Sequence, residues 1–147
     1  MSLEPGTYLI KATTGHPLDI LATAEGVNAT VKLLPRIPSG QTWQVTSVRP
    51  GKAIIESYDP NSSYKLSLSY STDDFNGSPI TTQDNHPPLI WNIRNAEAPN
   101  EFILSPDIRL VGVDICATVK DDQMVIQPFP LEDPNRPTWE FIRIRVD

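Results

Sequence analysis

Three tryptophans stand at one spacing: Trp43, Trp91 and Trp139 recur at an exact interval of 48. A fixed period of that length marks a repeated supersecondary unit, and it constrains the fold before any local propensity is considered. The neighbourhoods agree. Thr42-Trp43-Gln44-Val45, Ile90-Trp91-Asn92-Ile93 and Thr138-Trp139-Glu140-Phe141 each place an apolar residue two positions beyond the tryptophan, on the same face of a strand of period two. Three units of 48 account for nearly all of the 147 residues.

Short apolar runs recur in the same order within each unit. The first is Tyr8-Leu9-Ile10, Ile54-Ile55 or Phe102-Ile103-Leu104, and the second is Leu18-Asp19-Ile20, Leu66-Ser67-Leu68 or Leu110-Val111. The third is Val31-Lys32-Leu33-Leu34, Ile80-Thr81-Thr82 or Met124-Val125-Ile126, and the tryptophan run closes the unit. Leu18 and Leu66 stand equally far before their tryptophans and Leu110 stands further back from its own, so the third unit is expected to carry shifted loops. Turn chemistry falls between the runs, as in Arg49-Pro50-Gly51, Asn76-Gly77-Ser78-Pro79 and Asp133-Pro134-Asn135.

Helical repeats are excluded by the 15 prolines, scattered from Pro5 to Pro137. Each proline in a helix interior removes a donor and clashes with the preceding turn, at a cost of about 3 kcal/mol. Four runs in each of three units instead predict twelve strands. The fold expected is all-β, a β-trefoil: a barrel of hairpins capped by three more, in one domain over 1-147 with units at roughly 1-49, 50-97 and 98-147. The tryptophans are expected in its core, since a buried indole removes about 150–250 Å² from water.

Charge narrows the partners. With 18 Asp and Glu against 12 Lys and Arg, the chain has no basic field to collect phosphates, so neither nucleic acid nor an anionic membrane is expected. No stretch approaches the ~18 apolar residues of a transmembrane helix. Cys116 is the single cysteine and has no internal disulfide partner, and Met1-Ser2-Leu3-Glu4-Pro5-Gly6 has neither a basic nor an apolar leader region. A cytoplasmic protein is the expectation, in which the sequons at Asn28, Asn61 and Asn76 stay unglycosylated.

Catalytic chemistry is not legible. A hydrolase needs a nucleophile, a base and a group that orients the base. The two histidines, His16 and His86, sit in proline-flanked turns of different units, outside any catalytic or zinc-ligand spacing. Cys116, within Val113-Asp114-Ile115-Cys116-Ala117, reads as a small core hydrophobe. Asp73-Asp74 and Asp121-Asp122 read as solvated turn acids. No catalytic residue, metal site or cofactor is expected, and recognition by loops on a rigid scaffold is the remaining function class.

The opening Met1-Ser2-Leu3-Glu4-Pro5-Gly6-Thr7-Tyr8, the segment Gln41-Thr42-Trp43-Gln44-Val45 and the closing Arg136-Pro137-Thr138-Trp139-Glu140-Phe141 carry a family likeness. The chain resembles the β-trefoil protease inhibitors of mushroom-forming fungi: the cospin and cnispin type serine protease inhibitors and, more distantly, the mycocypins, which inhibit papain-like proteases and asparaginyl endopeptidase. The resemblance implies a monomeric inhibitor used in fungal defence, whose partner is a target protease, a trypsin-like serine protease first, held by a substrate-like loop.

In the cospin-like inhibitors the reactive loop lies between the second and third strands. Here that loop is Ala24 to Thr30, with Gly26, Val27, Asn28 and Ala29 at its tip. Gly26 permits the turn, Val27-Asn28-Ala29 is expected to extend outward, and Asn28 is the candidate for the primary pocket. A trypsin-like serine protease reads Lys or Arg, which this loop lacks, whereas Asn28 suits an asparaginyl endopeptidase. Leu34-Pro35-Arg36-Ile37-Pro38 sets Arg36 between prolines and makes it the alternative reactive residue.

A carbohydrate-binding β-trefoil lectin is the other reading, because fungal trefoil lectins share the Gly-Thr-Tyr start and the Gln-x-Trp element. Asp19, Asp59 and Asp114 are the acids such sugar pockets would use. Only the first unit keeps Gln-x-Trp; Leu89 and Pro137 stand at the corresponding places of the others.

Overall fold

A computed structural model describes residues 3–13, 20–58, 65–84, 87–108 and 110–144. Its strands are β1 (Gly6–Ala12), β2 (Leu21–Thr23), β3 (Ala29–Thr30), β4 (Lys32–Leu34), β5 (Trp43–Arg49), β6 (Lys52–Ser57) and β7 (Ser67–Ser69). They continue with β8 (Ser78–Pro79), β9 (Thr81–Gln83), β10 (Trp91–Asn95), β11 (Glu101–Pro106), β12 (Val113–Lys120), β13 (Gln123–Pro130) and β14 (Trp139–Arg143). There is no helix among the described residues.

Six of these strands close on themselves. β1 pairs with β5, β5 with β6, β6 with β10, β10 with β11, β11 with β14, and β14 returns to β1, all antiparallel. A closed ring leaves no edge for another chain to extend. Each tryptophan strand lies between two barrel neighbours: Trp43 is opposite Tyr8 and Ser57, Trp91 opposite Ala53 and Pro106, and Trp139 opposite Phe102 and Ala12.

Hairpins of β2 with β4, β7 with β9 and β12 with β13 cap the barrel, and the short strands β3 and β8 link them by pairing with β9 and β13. At their centre lies a ring of three backbone hydrogen bonds. Val31 N–H donates to the Ile80 carbonyl, Ile80 N–H to Met124, and Met124 N–H back to Val31, each at 2.9 Å. All three residues are fully buried. This is the β-trefoil that the tryptophan period predicts.

Among the described residues the twelve expected runs become fourteen strands because the third run of two units divides at the ring. β3 pairs with β9 while β4, just beyond Val31, pairs with β2 and β13, so the chain changes partner at Val31. Ile80 divides β8, paired with β13, from β9, paired with β7, in the same way.

One run needs correcting. Leu110-Val111 is not the second strand of the third unit: Leu110 is 41% exposed, Val111 is fully exposed, and the strand is Val113–Lys120, with Ile115, Cys116 and Ala117 buried. The larger offset of Leu110 comes from matching the wrong apolar pair. The tryptophan bonds give the true alignment. Trp43 Nε1 donates to the carbonyl of Ala22, Trp91 Nε1 to Leu68 and Trp139 Nε1 to Ala117, at 3.0, 2.9 and 3.0 Å. In the first unit the second strand is Leu21–Thr23, and Leu18 and Asp19 lie outside the described residues.

A single buried cluster contains Ile10, Leu33, Trp43, Ile55, Leu68, Trp91, Leu104, Ile126, Trp139 and Phe141, drawn from all three units. Indole N–H groups left without acceptors in that core would each cost about 1–3 kcal/mol. The three carbonyl partners remove that penalty while fixing each indole against its own unit's second strand.

Candidate functional site

The segment from Ala24 to Asn28, between β2 and β3, is a compact turn. Gly26 has φ +134° and Asn28 φ +62°, and Ala29 N–H points back at the Gly26 carbonyl at 3.4 Å. Thr82 on β9 holds the turn from beside it: Asn28 N–H donates to the Thr82 carbonyl at 2.8 Å, and Thr82 Oγ1 donates to the Gly26 carbonyl at 2.5 Å. Val27 and Asn28 are exposed while Gly26 and Ala29 are half-buried. The outward, extended course expected for Val27-Asn28-Ala29 is thus replaced by a closed turn with Asn28 in the left-handed region. Asparagine tolerates that region better than most residues.

The connection from β4 to β5 has the opposite character. Pro35, Arg36, Ile37, Pro38 and Ser39 are all exposed, in one uninterrupted stretch. Leu34 and Ile37 each precede a proline, which disfavours helical backbone and holds them extended. Neither Arg36 nor Ile37 has positive φ.

Gln41 holds this loop from underneath. Its side chain is buried at 2% exposure, and its amide is saturated by the loop. Nε2 donates to the Pro35 carbonyl at 2.8 Å, to Thr23 Oγ1 at 3.2 Å and more weakly to the Leu34 carbonyl at 3.4 Å. Oε1 accepts from Ile37 N–H at 3.0 Å.

Gly40 ties the two loops together. Ala24 N–H donates to the Gly40 carbonyl at 2.7 Å. A Cβ on Gly40 would stand 2.8 Å from the Ala24 carbonyl oxygen, and its φ is +87°, so both close approach and backbone require glycine. Lys32 and Glu25 add an ion pair at 3.0 Å across the same region. The segment that leads into Gly26, Val27, Asn28 and Ala29 is therefore fastened at Ala24 to Gly40, at the end of the Arg36 loop. Ordering such loops before an encounter lowers the conformational entropy lost on binding.

The other candidates lie elsewhere. Asp114 is engaged by Arg94 and Arg136, both 2.7 Å from Oδ2. Burial alone would raise its carboxyl, but the two guanidinium groups outweigh that and hold it below the ordinary aspartate range. Burial, with the nearby Asp114 charge, pushes the Cys116 thiol up to about 11. Asp19, Asp59, His16 and His86 lie outside the described residues. Among the described residues there is no cluster of three or more His, Cys, Asp or Glu side chains placed to hold a metal ion.

Sequence reasoning missed Gln41, Gly40 and Thr82 as organisers of these loops. Gln41 was visible only as the first letter of Gln-x-Trp; that its amide would reach back to Pro35 and Ile37 depends on the loop closing over it.

The comparisons with known proteins agree with this architecture. The family model described as peptidase inhibitor clitocypin matches residues 6–141. Clitocypin-5 of Clitocybe nebularis is 30% identical over 97% of this chain and 98% of its own, and Clitocypin-2 of the same fungus is 29% identical with the same coverage. Two solved structures share the fold, each with a TM-score of 0.63. One is SeviL bound to asialo-GM1 saccharide, 11% identical over 97% of this chain and 100% of that one. The other is the double-headed arrowhead protease inhibitor A in complex with two trypsins, 12% identical over 99% of this chain and 92% of that one. At those identities the structures speak for the fold alone, while the sequence matches bear out the resemblance to mushroom protease inhibitors. The chain belongs to the clitocypin family of peptidase inhibitors, and its β-trefoil serves inhibition rather than catalysis.

Proposed function

We propose that the chain blocks an endopeptidase by seating the Pro35–Pro38 loop in its active-site cleft, with Arg36 in the primary pocket and the Gly26–Ala29 turn as a flanking contact. The observation that carries this reading is the exposed run from Pro35 to Ser39, mounted on a buried glutamine that bonds to both halves of the run. A basic residue in an extended, pre-ordered loop suits a trypsin-like serine peptidase. The double-headed arrowhead protease inhibitor A, which shares this fold, is solved in complex with two trypsins, which makes trypsin a natural first peptidase to test.

A second reading rests on Asn28. Its side chain is exposed at the tip of a turn fixed by Thr82, and an amide there suits the pocket of an asparaginyl endopeptidase.

The test is inhibition of trypsin, chymotrypsin, papain and asparaginyl endopeptidase by the purified protein at micromolar concentration, repeated with Arg36→Ala and Asn28→Ala. Truncating a dominant contact costs about 2 kcal/mol or more, so trypsin inhibition is expected to weaken at least ~30-fold in Arg36→Ala. Loss of asparaginyl endopeptidase inhibition in Asn28→Ala, with Arg36→Ala unaffected, supports the second reading. Papain inhibition that survives both changes retires both pocket assignments, and inactivity against all four peptidases overturns the proposal. Specific retention on a glycan array in that last case would favour a lectin.

A further inference from the structure

The three units are not tied together alike. Ala12, Ser57 and Pro106 each end the first strand of a unit, opposite a tryptophan. Ala12 N–H donates to the Ile20 carbonyl at 3.2 Å and Ser57 N–H to the Leu66 carbonyl at 2.8 Å, and each bond fastens that strand to the start of the unit's second. Ile115 holds the matching place in the third unit, two residues before the carbonyl that accepts from the tryptophan. Pro106 has no N–H to give it. Ladder pairing is lost at the same point: β1 meets β2 at Lys11 and Leu21, and β6 meets β7 at Glu56 and Ser67, but no pairing joins β11 to β12 among the described residues.

Side chains cross this seam instead. Ser105 and Cys116, both buried, stand where the other units have their ladder pairs, and Ser105 Oγ donates weakly to Cys116 Sγ at 3.9 Å. Arg94 on β10 reaches over both strands: its Nη2 donates to Ser105 Oγ on β11 at 2.9 Å and to Asp114 Oδ2 on β12 at 2.7 Å. Arg136 donates to the same carboxylate oxygen at 2.7 Å. Behind the seam the hairpin has little other support. β13 pairs with β4 at Gln123 and with β8 at Val125 and Ile126, but beyond Ile126 it pairs with β12 alone. Two strands paired only with each other are marginal in water.

We propose that the outer end of this hairpin, residues 113–116 with 127–130, is a flap that lifts from β11 while the barrel stays folded, and that Arg94 is its latch. Ala117 is the hinge, because the Trp139 indole holds its carbonyl at 3.0 Å. Lifting breaks the Arg94 bridge between Ser105 and Asp114 and uncovers Cys116, which is fully buried when the flap is down. A local opening of this kind needs less free energy than global unfolding. It does not depend on which loop enters a peptidase.

The experiment measures how fast excess dithiodipyridine modifies Cys116 in wild type, Arg94→Met and Pro106→Ala, from no urea up to the unfolding transition. A thiol reached only through global unfolding reacts at a rate that climbs steeply with urea, whereas a flap exposes little surface and gives a shallow dependence. Wild type is expected to show a shallow limb at low urea that joins the steep one near the transition. Arg94→Met is expected to react at least about tenfold faster without urea, beyond what its shift in urea midpoint accounts for, the effect of one lost hydrogen bond to a charged group. Pro106→Ala returns an N–H to the seam and is expected to slow the shallow limb severalfold. If Arg94→Met does not fold, the urea dependence of wild type and the rate of Pro106→Ala carry the test. A single steep limb in wild type overturns the flap. A shallow limb that keeps the wild-type rate in Arg94→Met overturns the latch, and one that keeps it in Pro106→Ala overturns the seam as the place of opening.

Discussion

The backbone N–H of Met124 donates to the carbonyl of Val31, two repeats earlier in the chain, at 2.9 Å, and closes the ring that Val31 and Ile80 begin. Three chain segments from three repeats meet there, each giving one donor and one acceptor. The backbone N–H and carbonyl of Val31, Ile80 and Met124 thus satisfy one another at the centre of the cap, where all three residues are fully buried.

That centre should be sensitive to truncation. Ile80→Ala and Met124→Ala each empty space at a fully buried position. Each is expected to destabilise the protein by about 2–5 kcal/mol, read as a lower urea midpoint with an unchanged slope.

The tryptophans should behave as a set. Replacing Trp43, Trp91 or Trp139 by Phe leaves the carbonyl of Ala22, Leu68 or Ala117 without its donor. Each change is expected to cost about 1–3 kcal/mol, in addition to the smaller volume, with the three values close to one another in equilibrium unfolding.

Asp114 predicts an acid limb. Its carboxyl is held low in the fold by Arg94 and Arg136, so the fold binds fewer protons there than the unfolded chain. The stability it contributes is complete above the unfolded value of about 3.9 and is lost as pH falls through the folded value. Thermal midpoints measured from about pH 6 downward should therefore fall more steeply in wild type than in Asp114→Asn, which starts from a lower midpoint at neutral pH.

Cys116 should be silent in the native protein. With its thiol pushed up to about 11 and its side chain fully buried, it holds little thiolate near neutrality. A thiol-reactive dye at mildly alkaline pH is expected to label the folded chain about two orders of magnitude more slowly than the urea-unfolded chain.

The β12–β13 hairpin offers a stabilising change. Asp121 and Asp122 form its two-residue turn with φ +53° and +60°, the mirror-image geometry that favours Asn-Gly. Asp121→Asn with Asp122→Gly is expected to raise stability by roughly 0.5–1 kcal/mol, measured by thermal unfolding, because it relieves left-handed strain.

The period, and with it the fold, is legible in the chain alone: three evenly spaced tryptophans, each followed by an apolar residue on the same face, leave a threefold arrangement of short strands as the consistent answer. Periodicity is a local property, so it could be counted. It also marked the loops, because Gly26, Pro35 and Pro38 act on their own backbone. Tertiary structure decided the rest. Leu110-Val111 looked like a strand because it is apolar, yet burial depends on what stands opposite, and Val113–Lys120 pairs with β13 instead. Asn28 was expected in an extended loop, but Thr82, from the next repeat, closes it into a turn. Gln41 carried no visible sign of reaching both flanks of Arg36. Its hydrogen bonds exist only because the loop folds back over a buried amide that must satisfy its donors and acceptor without water.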